Sequence, residues 1–204
     1  MENPYARKKQ PELVRRALLD RAAELAVEQG LAAVTVQAVA DAAGVTKGGF
    51  MHHFPSKQAL IDAVFRELLD TLDRDLDARI EADPEPDGAF TRAYLGSVLD
   101  MAPGASGGPW AALYVSMLTD PDLRALWAGW FEARIERHRA TDDDVRLAAV
   151  RAAADGIWLA DLTGTALDKR ADLHALLLDM TRPHSRAQAG SGRRPVPGTR
   201  PARP

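Results

Sequence analysis

The sequence predicts an all-α fold of about nine helices. Apolar residues recur three and four positions apart throughout the 204 residues, and no stretch alternates as a strand ladder would. Hydroxyl or acidic residues precede these periodic runs, and glycine or proline closes them, as helix caps and stops do.

The first helix takes Pro11 in its first turn, carries Val14, Leu18, Ala22 and Leu25 as one stripe, and stops at Gly30. Thr35 caps a second, short helix, VQAVADAA, which ends at Gly44. Thr46 caps a third that must end before Pro55. Ser56 caps a fourth that runs to about Ala82, with Leu60, Val64, Leu68, Leu72, Leu76 and Ile80 spaced four apart. At 1.5 Å per residue it is roughly 39 Å long, enough to belong to two domains at once.

DPEPDG (83–88) breaks that helix, and APGASGGP (102–109) separates a fifth from a sixth. Asp120 with Pro121 opens a seventh; TDDD (141–144) opens an eighth, with a hydroxyl cap and three acids facing the helix dipole. The ninth covers about Lys169 to Thr181. Beyond Pro183 the chain is mostly arginine, proline, glycine and serine, so residues 185–204 read as a disordered basic tail.

Composition narrows the function. Hydrophobic residues make up 46% and charged residues 27%, an ordinary globular balance. The absence of cysteine excludes disulfides and thiolate chemistry. The N-terminus lacks an apolar leader pattern and no run is long enough for a membrane span, so a cytoplasmic protein with no membrane partner is expected. The net charge of −3 divides unevenly: +2 over residues 1–57, −10 over 58–182 and +5 over 183–204. A basic head on an acidic body suits a nucleic-acid binder with a second domain that does not touch nucleic acid.

There is no serine or cysteine nucleophile motif and no phosphate-cradling glycine loop, so no enzyme and no cofactor are expected. Neighbouring helical residues point about 100° apart, which separates His52 from His53, and His138, His174 and His184 lack ligand spacing. No metal site is expected.

The second and third helices satisfy the demands of a helix-turn-helix. Ala40 is small where the helices approach, Gly44 can adopt a left-handed turn, and Val45, Phe50 and Phe54 are apolar pegs. That leaves Thr46, Lys47, Gly48, Gly49, Met51, His52 and His53 facing outward. His53 has two readings, packing toward the first helix or reaching a phosphate.

The stretch TVQAVADAAGVTKGGFMHHFPSKQALIDAVF (35–65) resembles the DNA-binding signature of the tetracycline-repressor (TetR) family. That resemblance implies a three-helix head over 1–55 whose third helix enters the major groove. It also implies a helical effector-binding and dimerisation domain over 56–184. On these residues it places Thr35 and Lys57 at phosphates, Lys47, Thr46 and His52 at base edges, and Gln37 at a further contact. Gly48 and Gly49 would let the backbone come closer to DNA than a Cβ permits. Met51 stands where the family usually has tyrosine, keeping apolar contact and losing a hydroxyl.

In the body, Tyr94, Trp110, Tyr114, Met117, Trp127, Phe131 and Trp158 are the expected lining of an apolar ligand pocket, with plain core as the other reading. The alanine-rich eighth helix and Leu173, Leu176, Leu177 and Met180 of the ninth suit a four-helix dimer bundle. Asp155 and Asp161 interrupt that apolar pattern; they bind a polar ligand group, pair with an arginine across the dimer, or face solvent. The expected function is a repressor released from a palindromic operator by a small, largely apolar effector. The alternatives are a ligand-independent architectural DNA-binding dimer and a helical carrier or enzyme.

Overall fold

Two apolar clusters organise the chain, and one long helix belongs to both. The computed structural model describes residues 4–100 and 108–182. The basic tail over 185–204, His184 and most of the APGASGGP linker lie outside them. Ten helices are present among the described residues: α1 Pro4–Gln29, α2 Val36–Ala42, α3 Lys47–His53, α4 Lys57–Ala82 and α5 Ala89–Asp100, then α6 Pro109–Met117, α7 Pro121–Arg137, α8 Arg139–Asp142, α9 Val145–Thr163 and α10 Arg170–Met180. A 3-10 turn, Leu31–Ala33, joins α1 to α2.

Two boundaries differ from the expectation. The first helix starts at Pro4 and runs through Pro11 instead of beginning there. A proline near a helix start forfeits one backbone hydrogen bond, and the turns that follow are anchored by buried Leu18, Leu19, Ala22 and Ala26. The TDDD stretch does not open one helix; it ends the short α8 and then caps α9. Asp142 is buried and accepts hydrogen bonds from the backbone N–H and hydroxyl of Thr91, at 2.9 and 2.7 Å. Asp144 is the cap, accepting from the Arg146 N–H at 2.7 Å. This extra turn makes ten helices instead of nine.

Leu60, Ile61, Val64, Phe65 and Leu69 place the first half of α4 in the head cluster with α1, α2 and α3. Leu72 and Leu76 place its second half in the body cluster, against Phe90, Tyr94 and Leu95 of α5 and Val150, Ala154 and Ile157 of α9. α5 is the centre of the body, packed between α4 and α9. Gly88, just before it, has φ +78° and abuts the Thr181 carbonyl, to which a Cβ would come within 2.8 Å, so only glycine fits. Arg92 ties the 83–88 loop together by donating to the Asp83 carboxylate at 2.7 Å, the Asp87 carbonyl at 2.9 Å and the Thr181 carbonyl at 3.2 Å.

Behind α5 lies a buried polar network. Arg151, 6% exposed, donates to the Thr91 hydroxyl at 2.6 Å, and that hydroxyl donates in turn to Asp142. Each buried polar group thereby gains a partner, which low-dielectric burial requires.

Candidate nucleic-acid interface and apolar cavity

Local chemistry builds the head. The Thr35 hydroxyl accepts from the Ala38 N–H at 3.1 Å, and the Thr46 hydroxyl from the Gly49 N–H at 3.0 Å, so both short helices are capped. Such caps are worth about 1 kcal/mol each. Between them Gly44 turns left-handed at φ +67°. The Val45 N–H bonds the Ala40 carbonyl at 2.9 Å and the Gly44 N–H bonds the Asp41 carbonyl at 3.1 Å, the paired closure that ends a helix at glycine. Phe50 and Phe54 are fully buried, Val45 is half-buried, and the Arg15 guanidinium lies 4.4 Å from the Phe54 ring centroid. That cation–π contact pins α1 to the end of α3, and nothing in the residue spacing signalled it.

With those pegs inward, Thr35, Gln37, Thr46, Lys47, Gly48, Met51 and His52 are exposed, and Gly49, His53 and Lys57 are half-buried. A Cβ on Gly48 would approach no closer than 3.8 Å to the Thr46 Oγ1, and one on Gly49 no closer than 3.4 Å. Packing within the chain therefore does not demand either glycine. Gln37 donates to Asp41 at 2.8 Å, and the Lys57 ammonium donates to the Leu31 carbonyl at 3.3 Å, closing the turn between α1 and α2. Burial, with help from His52 and Arg15, pushes the His53 imidazole below its ordinary pKa, so it is neutral near pH 7.

In the body, Tyr94, Ser97 and Val98 of α5, Leu72 of α4 and Trp127 of α7 enclose a cavity with Trp110 and Tyr114 of α6 and Asp155 and Trp158 of α9. It measures about 40 Å³. Five of the seven expected lining residues meet there; Met117 and Phe131 do not. Met117 turns away into the head cluster, while Phe131 stands behind the wall, stacked on Trp127 with ring centroids 6.0 Å apart. Leu72 also lines the cavity, although the sequence marks it only as part of the apolar stripe of α4, and Ser97 and Val98 join it without any signal in the sequence.

Asp155 accepts a 2.5 Å hydrogen bond from the Tyr94 hydroxyl. Burial pushes its carboxyl up and the Tyr94 phenol far above its usual value. Asp161, by contrast, holds Arg170 of the same chain in a two-pronged pair at 2.5 and 2.8 Å. Its arginine is therefore intramolecular, because α10 folds back along α9.

A capped helix-turn-helix with an exposed second helix, set on a helical body with an aromatic cavity, defines a DNA-binding regulator. Residues 18–64 match the family model of bacterial regulatory proteins of the tetR family, and residues 88–182 match the tetracyclin repressor-like C-terminal domain. The chain is 32% identical over 164 residues to the HTH-type transcriptional repressor KstR2 of Rhodococcus jostii (strain RHA1), covering 72% of this chain and 77% of that one. A crystal structure of the multidrug binding protein EbrR complexed with malachite green superposes with a TM-score of 0.66 at 25% identity, over 83% of this chain and 98% of that one. A TetR-family member from Streptomyces coelicolor A3 gives 0.63 at 26% identity, over 83% and 99%. The chain belongs to the TetR family of transcriptional regulators. No described helix is long and apolar enough to cross a membrane.

Proposed function

We propose that the protein is a homodimeric repressor that leaves a palindromic operator when a small molecule enters the aromatic cavity. The observation that carries this reading is the double role of α6. Within its nine residues it sets Trp110 and Tyr114 in the cavity wall and buries Met117 in the head cluster. Just beyond it, the Gln58 amide in the first turn of α4 donates to the Asp120 carboxylate at 3.4 Å. Rings that part to admit a ligand displace α6, and α6 moves with the head. A 40 Å³ cavity holds a water or two, whereas ligand sites run to roughly 300–1,000 Å³, so binding has to move these walls. A ligand favouring the displaced arrangement lowers operator affinity by the same factor by which the operator lowers ligand affinity.

The outer face of α9 supports dimerisation. Val145, Ala148, Ala152, Gly156 and Leu159 are all exposed along it, and Leu176 is exposed on the neighbouring α10. Leu173, Leu177 and Met180 pack within the subunit's own body instead. Small residues allow a second copy to approach closely, and the heads would then sit one DNA turn apart, about 34–36 Å. On α3, Lys47 is the residue suited to guanine O6 and N7, with His52 and Thr46 beside it and Thr35 and Lys57 at phosphates. The EbrR complex with malachite green supports a small-molecule role for the body.

The test is a mobility-shift titration on DNA flanking the gene. Lys47→Ala should weaken binding by about 1–3 kcal/mol, roughly five- to 150-fold, without lowering Tm. Unchanged binding to every DNA tested would refute the assignment.

A further inference from the structure

We propose that the cavity recognises an organic cation, with the Asp155 carboxylate as its counter-charge and the surrounding aromatic faces as its cage. The inference rests on the sensor reading above and names the chemical class of its ligand. Three indoles, Trp110, Trp127 and Trp158, and two phenols, Tyr94 and Tyr114, converge on a cavity whose lining, among the described residues, holds one carboxylate and no cationic side chain. The Tyr114 and Trp158 rings meet at 4.5 Å, so the wall is built of faces and edges in contact. Aromatic faces carry negative potential and attract diffuse ammonium or iminium charge.

Among the described residues, several buried or half-buried carboxylates of the body meet a basic group directly. Asp142 has Arg151, Asp83 has Arg92 and Asp161 has Arg170. Asp155 has only the Tyr94 hydroxyl, a neutral donor, although Arg151 lies one turn away on the same helix. Arg151 is committed instead to Thr91 and Asp142. A carboxylate kept among rings without a counter-ion is costly, and a cation in the cavity removes that cost. A hard metal ion does not fit the lining, which offers one carboxylate where such ions take six or more oxygens. Neutral apolar molecules gain from the rings and nothing from Asp155.

Asp155 also links recognition to pH. The titratable groups facing it are Tyr94 from α5 and Tyr114 from α6, both raised by burial and by Asp155 itself. α4 and α7 present Leu72 and Trp127, which do not titrate. Burial holds the free carboxyl above its usual value; an entering cation pulls it down, so binding releases a proton. Cation affinity therefore rises with pH until Asp155 is ionised in the free protein.

The experiment compares phenyltrimethylammonium, its uncharged isostere tert-butylbenzene and the anion 4-tert-butylbenzoate on the full chain, read by tryptophan fluorescence and Tm. The cation should bind about ten-fold or more tightly than either other probe. Asp155→Asn should erase that preference and flatten the rise of affinity with pH above the ordinary carboxylate range. If the neutral isostere matches the cation, or if Asp155→Asn retains the preference, the cation assignment is overturned while ligand sensing stands. If no probe changes fluorescence, Tm or operator binding, the sensor reading falls and this one with it. The comparison among probes on the unmodified chain decides the question even if the variant does not fold.

Discussion

The head and the body bury charge to different extents. In the body, many polar groups are tied into the fold: Asp142, Thr91 and Arg151 form a closed network, Arg92 laces a loop, and Arg134 pairs with Asp77 at 2.7 Å. In the head, Lys47 and His52 stand exposed on a short helix whose only fully buried side chain is Phe50. The body's charges hold its own elements in register, so its acidity is partly architectural. The head also pairs charges on its surface, Arg16 with Asp20 and Glu67 and Arg21 with Glu24. It nevertheless leaves Lys47 and His52 exposed on α3, and its helices are held by caps and a largely aliphatic core.

Asp142→Ala strikes the body side of this contrast and carries the largest expected effect. It strands Arg151 and the Thr91 hydroxyl in the interior, and breaking a buried pair in this way costs about 3–5 kcal/mol. Urea denaturation should show that loss; a drop below about 1 kcal/mol would mean the network is not structural. Gly48→Ala probes the head with a smaller and opposite effect. The new methyl meets nothing closer than 3.8 Å, and alanine favours a helix over glycine by up to about 1 kcal/mol. Tm should hold or rise while operator binding weakens. If both rise, the glycines are not kept for close approach to DNA.

The smallest effect concerns Asp83, whose carboxyl the Arg92 guanidinium holds below the usual carboxylate range. That stability is present above the unfolded value near pH ~3.9 and is lost as the pH falls through the folded one. Asp83→Asn should therefore flatten the acid limb of a stability–pH curve, and an unchanged limb would show that the pair contributes little.

Much of the head was legible because its signals are local. Thr35, Thr46 and Ser56 each cap the helix expected of them, and Gly44 takes the expected turn. α4 ends at Ala82 as its four-residue spacing indicated. The body was legible only where large rings advertise themselves. Five expected aromatics meet at the cavity, but Met117 follows the helical turn of α6 into the other cluster. Leu72, Ser97 and Val98 enter through long-range packing that residue spacing does not encode. The TDDD stretch misled because acids that suit a helix start equally suit a buried partner for Arg151, and only the position of α5 decides between them.

The shared helix also sets how such a chain can be recombined. The seam between the two clusters falls inside α4, between Leu69 and Leu72, and not at Pro55 where the short helices end. A chimera joined at Pro55 would leave Leu60, Ile61, Val64, Phe65 and Leu69 behind, and with them much of the head's apolar support. Exchanging DNA specificity between relatives therefore calls for a splice about four helical turns into α4, or for changes confined to the outer face of α3.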